Sequence, residues 1–287
     1  MSSTSYPLED QIALVTGGGT GIGNMIATAL ASAGAKVYIA APWLDVLEKA
    51  ASDASSIPGP GCLVPMQMNV VKEEDIEAAA LTVAQNDRML NILVNNAGVN
   101  GPIHDIESFL AGKMASENVF ELEKMDDWVD IFKLNTIAPF FLVKAFTDLL
   151  CVGAAHTGGT SSVLNVSSCS ALTQYTPKAT SFAYGPSKTA ACRVTTALAA
   201  HFAARGDPIR VNAIMPGVFP TAMLERASGG DVDLLTKHAA PGYLNAVPAK
   251  RAGRTDEMGK TALYLSTNDY VTGAILTIDG GLSLVNP

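Results

Sequence analysis

Seven short runs rich in Val, Ile, Leu and Ala recur along the chain, each followed by a stretch of different periodicity. They read "QIALVTG" from residue 11, "KVYIAA" from 36, "CLVPMQM" from 62, "LNILVNN" from 90, "SSVLNVSS" from 161, "IRVNAIMPG" from 209 and "GAILTIDGG" from 273. Strands that are apolar without alternation are buried on both faces, which requires a parallel sheet with helices above and below. The intervening patterns predict helices over 21–33, 43–55, 73–85 and 126–150, and another beginning at Tyr184. Right-handed crossovers make such a sheet doubly wound. Pro65 inside the third run marks an edge strand, because it cannot donate to a ladder. No linker or repeat divides the chain, so residues 1–287 are expected to form a single α/β domain with one seven-stranded parallel sheet. Two stretches break the alternation, 99–124 and 218–253.

Charge and cysteine usage narrow the partners. The net charge is −8, which disfavours nucleic acid and anionic membrane surfaces. Four cysteines, Cys62, Cys151, Cys169 and Cys192, form no C-x-x-C pair and read as reduced, mostly buried thiols of a cytoplasmic protein. The four histidines show no ligand spacing, so no metal site is expected. The N-terminal "MSSTSYPLED" lacks a basic region and an apolar stretch, and no uncharged apolar run reaches membrane-spanning length. "NVS" at Asn165 matches a glycosylation sequon but ends a strand that reads as buried.

The loop "TGGGTGIG" joins the first strand to the first helix. Gly17, Gly21 and Gly23 let the backbone turn tightly, and the helix N-terminus behind them offers N–H groups to an anion such as a pyrophosphate. "NNAG" at 95–98 follows the fourth strand, "NVSS" ends the fifth, and "PGVFPT" at 216–221 follows the sixth. All fall at carboxyl ends of strands, the rim where open α/β sheets bind ligands. Tyr184 and Lys188 sit at i and i+4 on one helical face. A cation beside a phenol favours the phenolate and makes a tunable proton donor, although the pair alone also fits an ordinary surface contact.

In this order T-G-x-x-x-G-x-G, N-N-A-G, Ser, Y-x-x-x-K and P-G-x-x-x-T resemble the short-chain dehydrogenase/reductase family over residues 8–284. "AYGPSK" and "PGVFPTAM" resemble its rhamnolipid-type 3-oxoacyl reductases and related fungal reductases. The resemblance implies a Rossmann-type fold in which Tyr184 is the general acid and base. It implies that Lys188 lowers the pKa of Tyr184 and holds the nicotinamide ribose, that Ser168 donates to the substrate carbonyl, and that Asn135 positions a water linking Lys188 to solvent. Such a site accepts hydride at a carbonyl carbon while preorganised donors meet the charge on oxygen. Further cofactor positions implied are Gly17, Gly19, Thr20, Gly21, Ile22 and Gly23 in the turn, Ala41, Asn69 and Val70 at the second and third strand ends, and Asn96, Ala97 and Gly98. Pro216, Gly217, Val218 and Thr221 complete them. Ser170, Tyr175, Phe219, Met223, Leu224 and Tyr243 are candidates for an apolar substrate pocket, with Leu244 beside them.

The chain departs from the family pattern in three places. Ser168 lies further before Tyr184 than usual, with extra residues in "CSALTQYTPKATSF"; Ser167 and Ser170 are alternatives for its role. Residues 99–124 form an insertion near the expected substrate entrance, either a lid or a surface elaboration. The second strand ends "IAAPWLD": Ala41 supplies no carboxylate for a ribose 2′-OH, and Pro42 and Trp43 stand where an arginine would hold a 2′-phosphate. Thr20 and Asn69 are neutral too. The balance leans to NADP(H), with NAD(H) or dual use open. The expected activity is reduction of a lipophilic ketone, or oxidation of the alcohol, by a homotetramer or homodimer. A dinucleotide-binding scaffold or sensor without turnover, or a non-redox enzyme using the same tyrosine, stays open as an alternative.

Overall fold

The computed structural model describes residues 6–57, 59–101, 120, 123–174, 180–221, 234–238 and 245–287. In chain order it forms β1 (Ile12–Thr16), α1 (Gly21–Ser32), β2 (Lys36–Ala41), α2 (Leu44–Asp53), β3 (Cys62–Gln67), α3 (Glu73–Asn86) and β4 (Ile92–Asn95). Then come α4 (Met125–Phe132), a π-helical turn (Lys133–Ile137), α5 (Ala138–Thr157), β5 (Ser161–Val166) and a 3₁₀ turn (Cys169–Ala171). The chain continues with α6 (Tyr184–Arg205), β6 (Ile209–Pro216), α7 (Leu234–Lys237), α8 (Thr255–Thr267), β7 (Ile275–Ile278) and α9 (Leu282–Val285).

The seven strands form one sheet in the order β3-β2-β1-β4-β5-β6-β7, and all the pairs are parallel. The order reverses between β1 and β4, which opens a crevice at the carboxyl ends of both strands. β3 lies at an edge, as Pro65 requires. Alternate residues of each strand point to opposite faces, so the core has two halves. Val15, Val37, Ile39, Leu164 and Ile214 face Ile26 and Leu30 of α1 and Met258 and Leu265 of α8. Leu14, Tyr38, Leu93, Val163 and Val211 face Phe146 and Leu150 of α5 and Phe202 of α6.

The helix expected over 126–150 is longer and is interrupted. Apolar residues continue past Leu150, and the helix stops only where Gly158 adopts a left-handed conformation, φ 68°. Met125–Thr157 is by length and composition apolar enough to cross a membrane. Much of that character is core: Leu142, Val143, Phe146 and Leu150 pack on the sheet. All four cysteines are free, but Cys62 is exposed at the edge strand rather than buried. Asn165 is buried, donating to Thr195 Oγ1 and accepting from Asn95, so the sequon is part of the core.

Candidate active site

The Gly-rich turn closes over β4. Asn96 donates from Nδ2 to Thr16 O at 2.9 Å and Gly17 O at 3.2 Å. Thr16 Oγ1 accepts from the N–H groups of Asn96 and Ala97 and donates to Val94 O. This threonine, the first letter of the T-G motif, is a lock that the motif itself signals. Gly17 has φ +62°, and a Cβ on Gly23 would stand 2.2 Å from Gly17 O, so the turn has no room for side chains there. α1 starts with no side-chain cap on Thr20 and no acidic residue in its first turn. Its first N–H groups are therefore left for an anion, which fits a dinucleotide's pyrophosphate. Thr221 lies across the turn, its Cγ2 3.3 Å from where a Cβ of Gly21 would be. Asn69 accepts the N–H of Val71 in its own turn, and Val70 beside it is buried.

Tyr184 opens α6 and Lys188 follows one turn on, with Nζ 5.8 Å from the phenol ring centroid. Lys188 is buried, and among the described residues Val166 O, at 2.9 Å, is the acceptor its ammonium uses. Burial pulls its pKa down to about 8. A buried ammonium has three donors, so it fits a ligand bringing hydroxyl oxygens, such as the nicotinamide ribose. A Cβ on Gly98 would lie 3.1 Å from Lys188 Nζ and 2.9 Å from Asn135 Oδ1, so only glycine leaves this approach open.

Ser168 caps the 3₁₀ turn by accepting from Ser170 N at 3.1 Å, and its hydroxyl stands beside the Tyr184 phenol, near enough to lower its pKa. Burial pushes the phenol up to about 12, and the Ser168 contact works against that rise. With protein groups alone around it, Tyr184 thus holds its proton at neutral pH. Ser167 faces the other way, donating to Lys188 O and accepting from Cys192 Sγ. Of the serines considered, Ser168 is the one on the phenol.

Asn135 lies in the π-helical turn, a device frequent at functional sites. Its Oδ1 accepts Val99 N at 3.0 Å, and its Nδ2 donates to Val99 O at 2.8 Å and Ser187 Oγ at 3.0 Å. Its amide therefore ties the segment after β4 to α6. Ser187 passes the contact on by donating to Tyr184 O at 2.7 Å. Neither Ser187 nor Glu123, described below, carried a motif that singled it out.

The substrate-side expectations fare less evenly. Phe219 is 3 % exposed and packs against Gly253, and it lines the cleft described below, which Tyr184 does not line. Tyr175, Met223, Leu224, Tyr243 and Leu244 lie outside the described residues. Ser170 is half-buried beside Ser168. Val218 packs with Cys169, Val247 and Leu282 behind the site, and Gly217 N bonds Ile278 O where β6 ends at Pro216. A cleft of about 550 Å³ opens there, lined by Leu172, Val218, Arg251, Thr277 and Leu284 among others; Asn135, Ser168, Tyr184 and Lys188 do not line it.

At the second strand's end Ala41 is half-buried, while Pro42 and Trp43 are exposed. Pro42 O accepts from Gln67 Nε2 at 2.9 Å. No charged side chain is provided by Thr20, Ala41, Pro42, Trp43 or Asn69 themselves.

A doubly wound sheet with a glycine turn at its reversal point, and a Tyr-Lys pair and serine on the same rim, defines an NAD(P)-dependent oxidoreductase. The chain belongs to the short-chain dehydrogenase/reductase family. The family model described as enoyl-(acyl carrier protein) reductase matches residues 17–283. The short-chain dehydrogenase/reductase VdtF of Byssochlamys spectabilis is 31% identical, over 98% of this chain and 95% of its own. The rhamnolipids biosynthesis 3-oxoacyl-(acyl-carrier-protein) reductase of Pseudomonas aeruginosa is also 31% identical, over 97% of this chain and 98% of its own. The Pseudomonas aeruginosa RhlG/NADP active-site complex superposes with a TM-score of 0.79 at 29% identity, covering 98% of this chain and 100% of that one.

Proposed function

We propose that the protein reduces a lipophilic ketone, of the 3-oxoacyl kind or a comparable carbonyl, with NADP(H) as the preferred cofactor. The observation that carries the reading is that Ser168 stands beside the Tyr184 phenol while the Lys188 ammonium, bonded to Val166 O, lies 5.8 Å from its ring centroid. When bound, the nicotinamide supplies the hydride. Tyr184 and Ser168 both present hydroxyls to the developing oxyanion, and Tyr184 gives up its proton to that oxygen as the hydride arrives. With protein groups alone around it the phenol is pushed up to about 12 and Lys188 does not lower it, so in this reading the bound cofactor and substrate complete the site that makes it an acid. The resulting phenolate sits near the Lys188 ammonium, which favours it electrostatically until solvent returns the proton. The 3-oxoacyl reductase relative and the NADP complex of a similar structure support the substrate class and the cofactor. Exposed Val129, Ile137, Phe140 and Val152 along α4 and α5 support a homo-oligomer built on this helix.

The test is oxidation of NADPH against a panel of 3-oxoacyl thioesters and bulky ketones, with Tyr184→Phe in parallel. The variant is expected to fold and bind NADPH but to lose turnover by about 10²–10⁴-fold. Near-normal turnover in Tyr184→Phe would remove the tyrosine from its role. NADPH binding without consumption by any ketone would favour a sensor.

A further inference from the structure

The two loops by which this chain departs from its family meet at one carboxylate. Glu123 ends the stretch inserted after β4, and Ser181 and Phe182 end the lengthened segment between Ser168 and Tyr184. Glu123 Oε2 accepts from Ser181 Oγ at 2.9 Å and from Trp128 Nε1 at 2.6 Å, while Oε1 accepts Phe182 N at 3.0 Å. The rings of Phe120 and Phe182 meet edge to face beside it, centroids 6.3 Å apart. Ser181 is fully buried and organises the start of α6. Its Oγ accepts Ala183 N at 3.1 Å, its carbonyl accepts Tyr184 N at 3.1 Å, and its own N–H bonds Asn100 O.

We propose that Glu123 is the positioning residue of Tyr184: it latches the residues that lead into α4 to Ser181 and Phe182 and so fixes how the tyrosine enters α6. The chemistry requires a carboxylate. Among the described residues three donors converge on it, and an ionised carboxylate accepts at both oxygens. By taking the Ser181 hydroxyl proton, Glu123 leaves that oxygen's lone pairs turned to Ala183 N–H. A glutamine has one acceptor atom, and its NH₂ would face Phe182 N–H or Trp128 Nε1–H, donor against donor. The shape is kept and the latch is lost. Trp128 extends the coupling to α4, which runs on into the π turn holding Asn135. The glycine at 101 lies against the same serine, a Cβ there falling 2.5 Å from Ser181 Cβ, so the segment after β4 closes the arrangement from the other side.

The inference rests on the reading of Tyr184 as the proton donor, but its test does not need a substrate. Amide hydrogen exchange is measured residue by residue in wild type, Glu123→Gln, Glu123→Asp and Ser181→Ala, alongside the ¹³Cζ resonance of Tyr184, assigned with Tyr184→Phe. In Glu123→Gln, the amides of Phe182, Ala183 and Tyr184 are expected to exchange about tenfold faster, the effect of losing a hydrogen bond of ordinary strength. Amides in the middle of α6 and in β5 keep their protection, and the Tyr184 resonance moves or broadens. Glu123→Asp recovers part of both effects, and Ser181→Ala reproduces them. The proposal is overturned by unchanged exchange at the three amides in both Glu123→Gln and Ser181→Ala, or by faster exchange with the Tyr184 resonance unmoved. Uniformly faster exchange throughout the chain also overturns it, because that marks a purely structural residue. If no ketone is ever turned over, the latch result still stands on its own, and it is the role of Tyr184 that falls.

Discussion

The two ends of the cofactor crevice are built in opposite ways. At the nicotinamide end, Asn135, Ser168 and Lys188 are buried, and each is hydrogen-bonded to named protein groups before any ligand enters. At the adenosine end, Ala41 supplies no functional group, and Trp43 stands 67 % exposed as an N-cap residue without a cap bond. Electrostatic preorganisation lowers a barrier only if donors are fixed before the reaction, so rigidity belongs where charge develops. Affinity for the remote nucleotide has no such requirement and can come from backbone N–H groups and apolar contact. On the proposed reading the chain concentrates its specific chemistry at one end, while Thr20, Ala41, Pro42, Trp43 and Asn69 bring no charged side chain to the other.

The sharpest way to break this contrast is to remove the buried cation. Lys188 is held at about 8 by burial, against 10.5 for an ordinary lysine. Between those values the unfolded chain binds a proton that the folded chain has released, so this group makes stability rise with pH from about 8 to 10.5. Tyr184 acts with the opposite sign: raised to about 12, it holds its proton above pH 10, and its contribution is lost as pH climbs from 10 to 12. Lys188→Met is expected to abolish the rise, which is worth about 3 kcal/mol for a shift of this size, and to weaken dinucleotide binding. Urea melts of wild type and variant from pH 7 to 10 measure it. Identical slopes would mean that the ammonium is solvated, and the nicotinamide end would lose its claim to be preorganised.

The nicotinamide end was also the legible end. T-G-x-x-x-G-x-G, N-N-A-G and Y-x-x-x-K are short, and each fixes a backbone geometry or a helical face locally, so their order along the chain and its resemblance to the family located them. The seven-stranded parallel sheet and the edge position of β3 followed from unbroken apolar runs and from Pro65. The place of Phe219 was not legible, because its packing against Gly253 depends on tertiary contact with a segment distant in sequence. The helix expected over 126–150 ran longer because apolar residues continue to the left-handed Gly158, and its interruption was not legible because a π turn keeps the helical periodicity and only shifts its phase. Glu123, Ser181 and Ser187 were invisible for a third reason. They act through hydrogen bonds between distant segments, and a single serine or glutamate in a polar stretch carries no pattern.

Adding a charge at the adenosine end sharpens the comparison. Ala41→Arg places a guanidinium at the end of β2, where a 2′-phosphate lies in folds of this type. A charge-assisted contact of about 1.5–3 kcal/mol raises the preference for NADPH over NADH by about 10–100-fold. Ala41→Asp shifts it toward NADH. Dissociation constants from the fluorescence of the reduced nicotinamide give both ratios directly. An unchanged ratio in both variants would show that the ribose hydroxyl does not lie against Ala41, and that the discriminating contact is elsewhere in the crevice.

The smallest effect tests whether apolar contact really substitutes for charge. Trp43 makes no hydrogen bond or ring contact among the described residues, so Trp43→Ala is expected to change folding stability by no more than about 0.5 kcal/mol. If its exposed face covers the adenine, the variant binds NADPH about fivefold more weakly, equivalent to about 1 kcal/mol. Reduced nicotinamide mononucleotide, which has no adenosine, then binds wild type and variant equally. Calorimetric titration of both ligands separates the cases. Equal weakening for the two would trace the loss to a shifted α2 and not to the adenine. Equal affinity for NADPH in variant and wild type would leave the Gly-rich turn and the N-terminus of α1 as the whole of the nucleotide grip, and the adenosine end would then be as unspecific toward the base as it is toward the 2′ position.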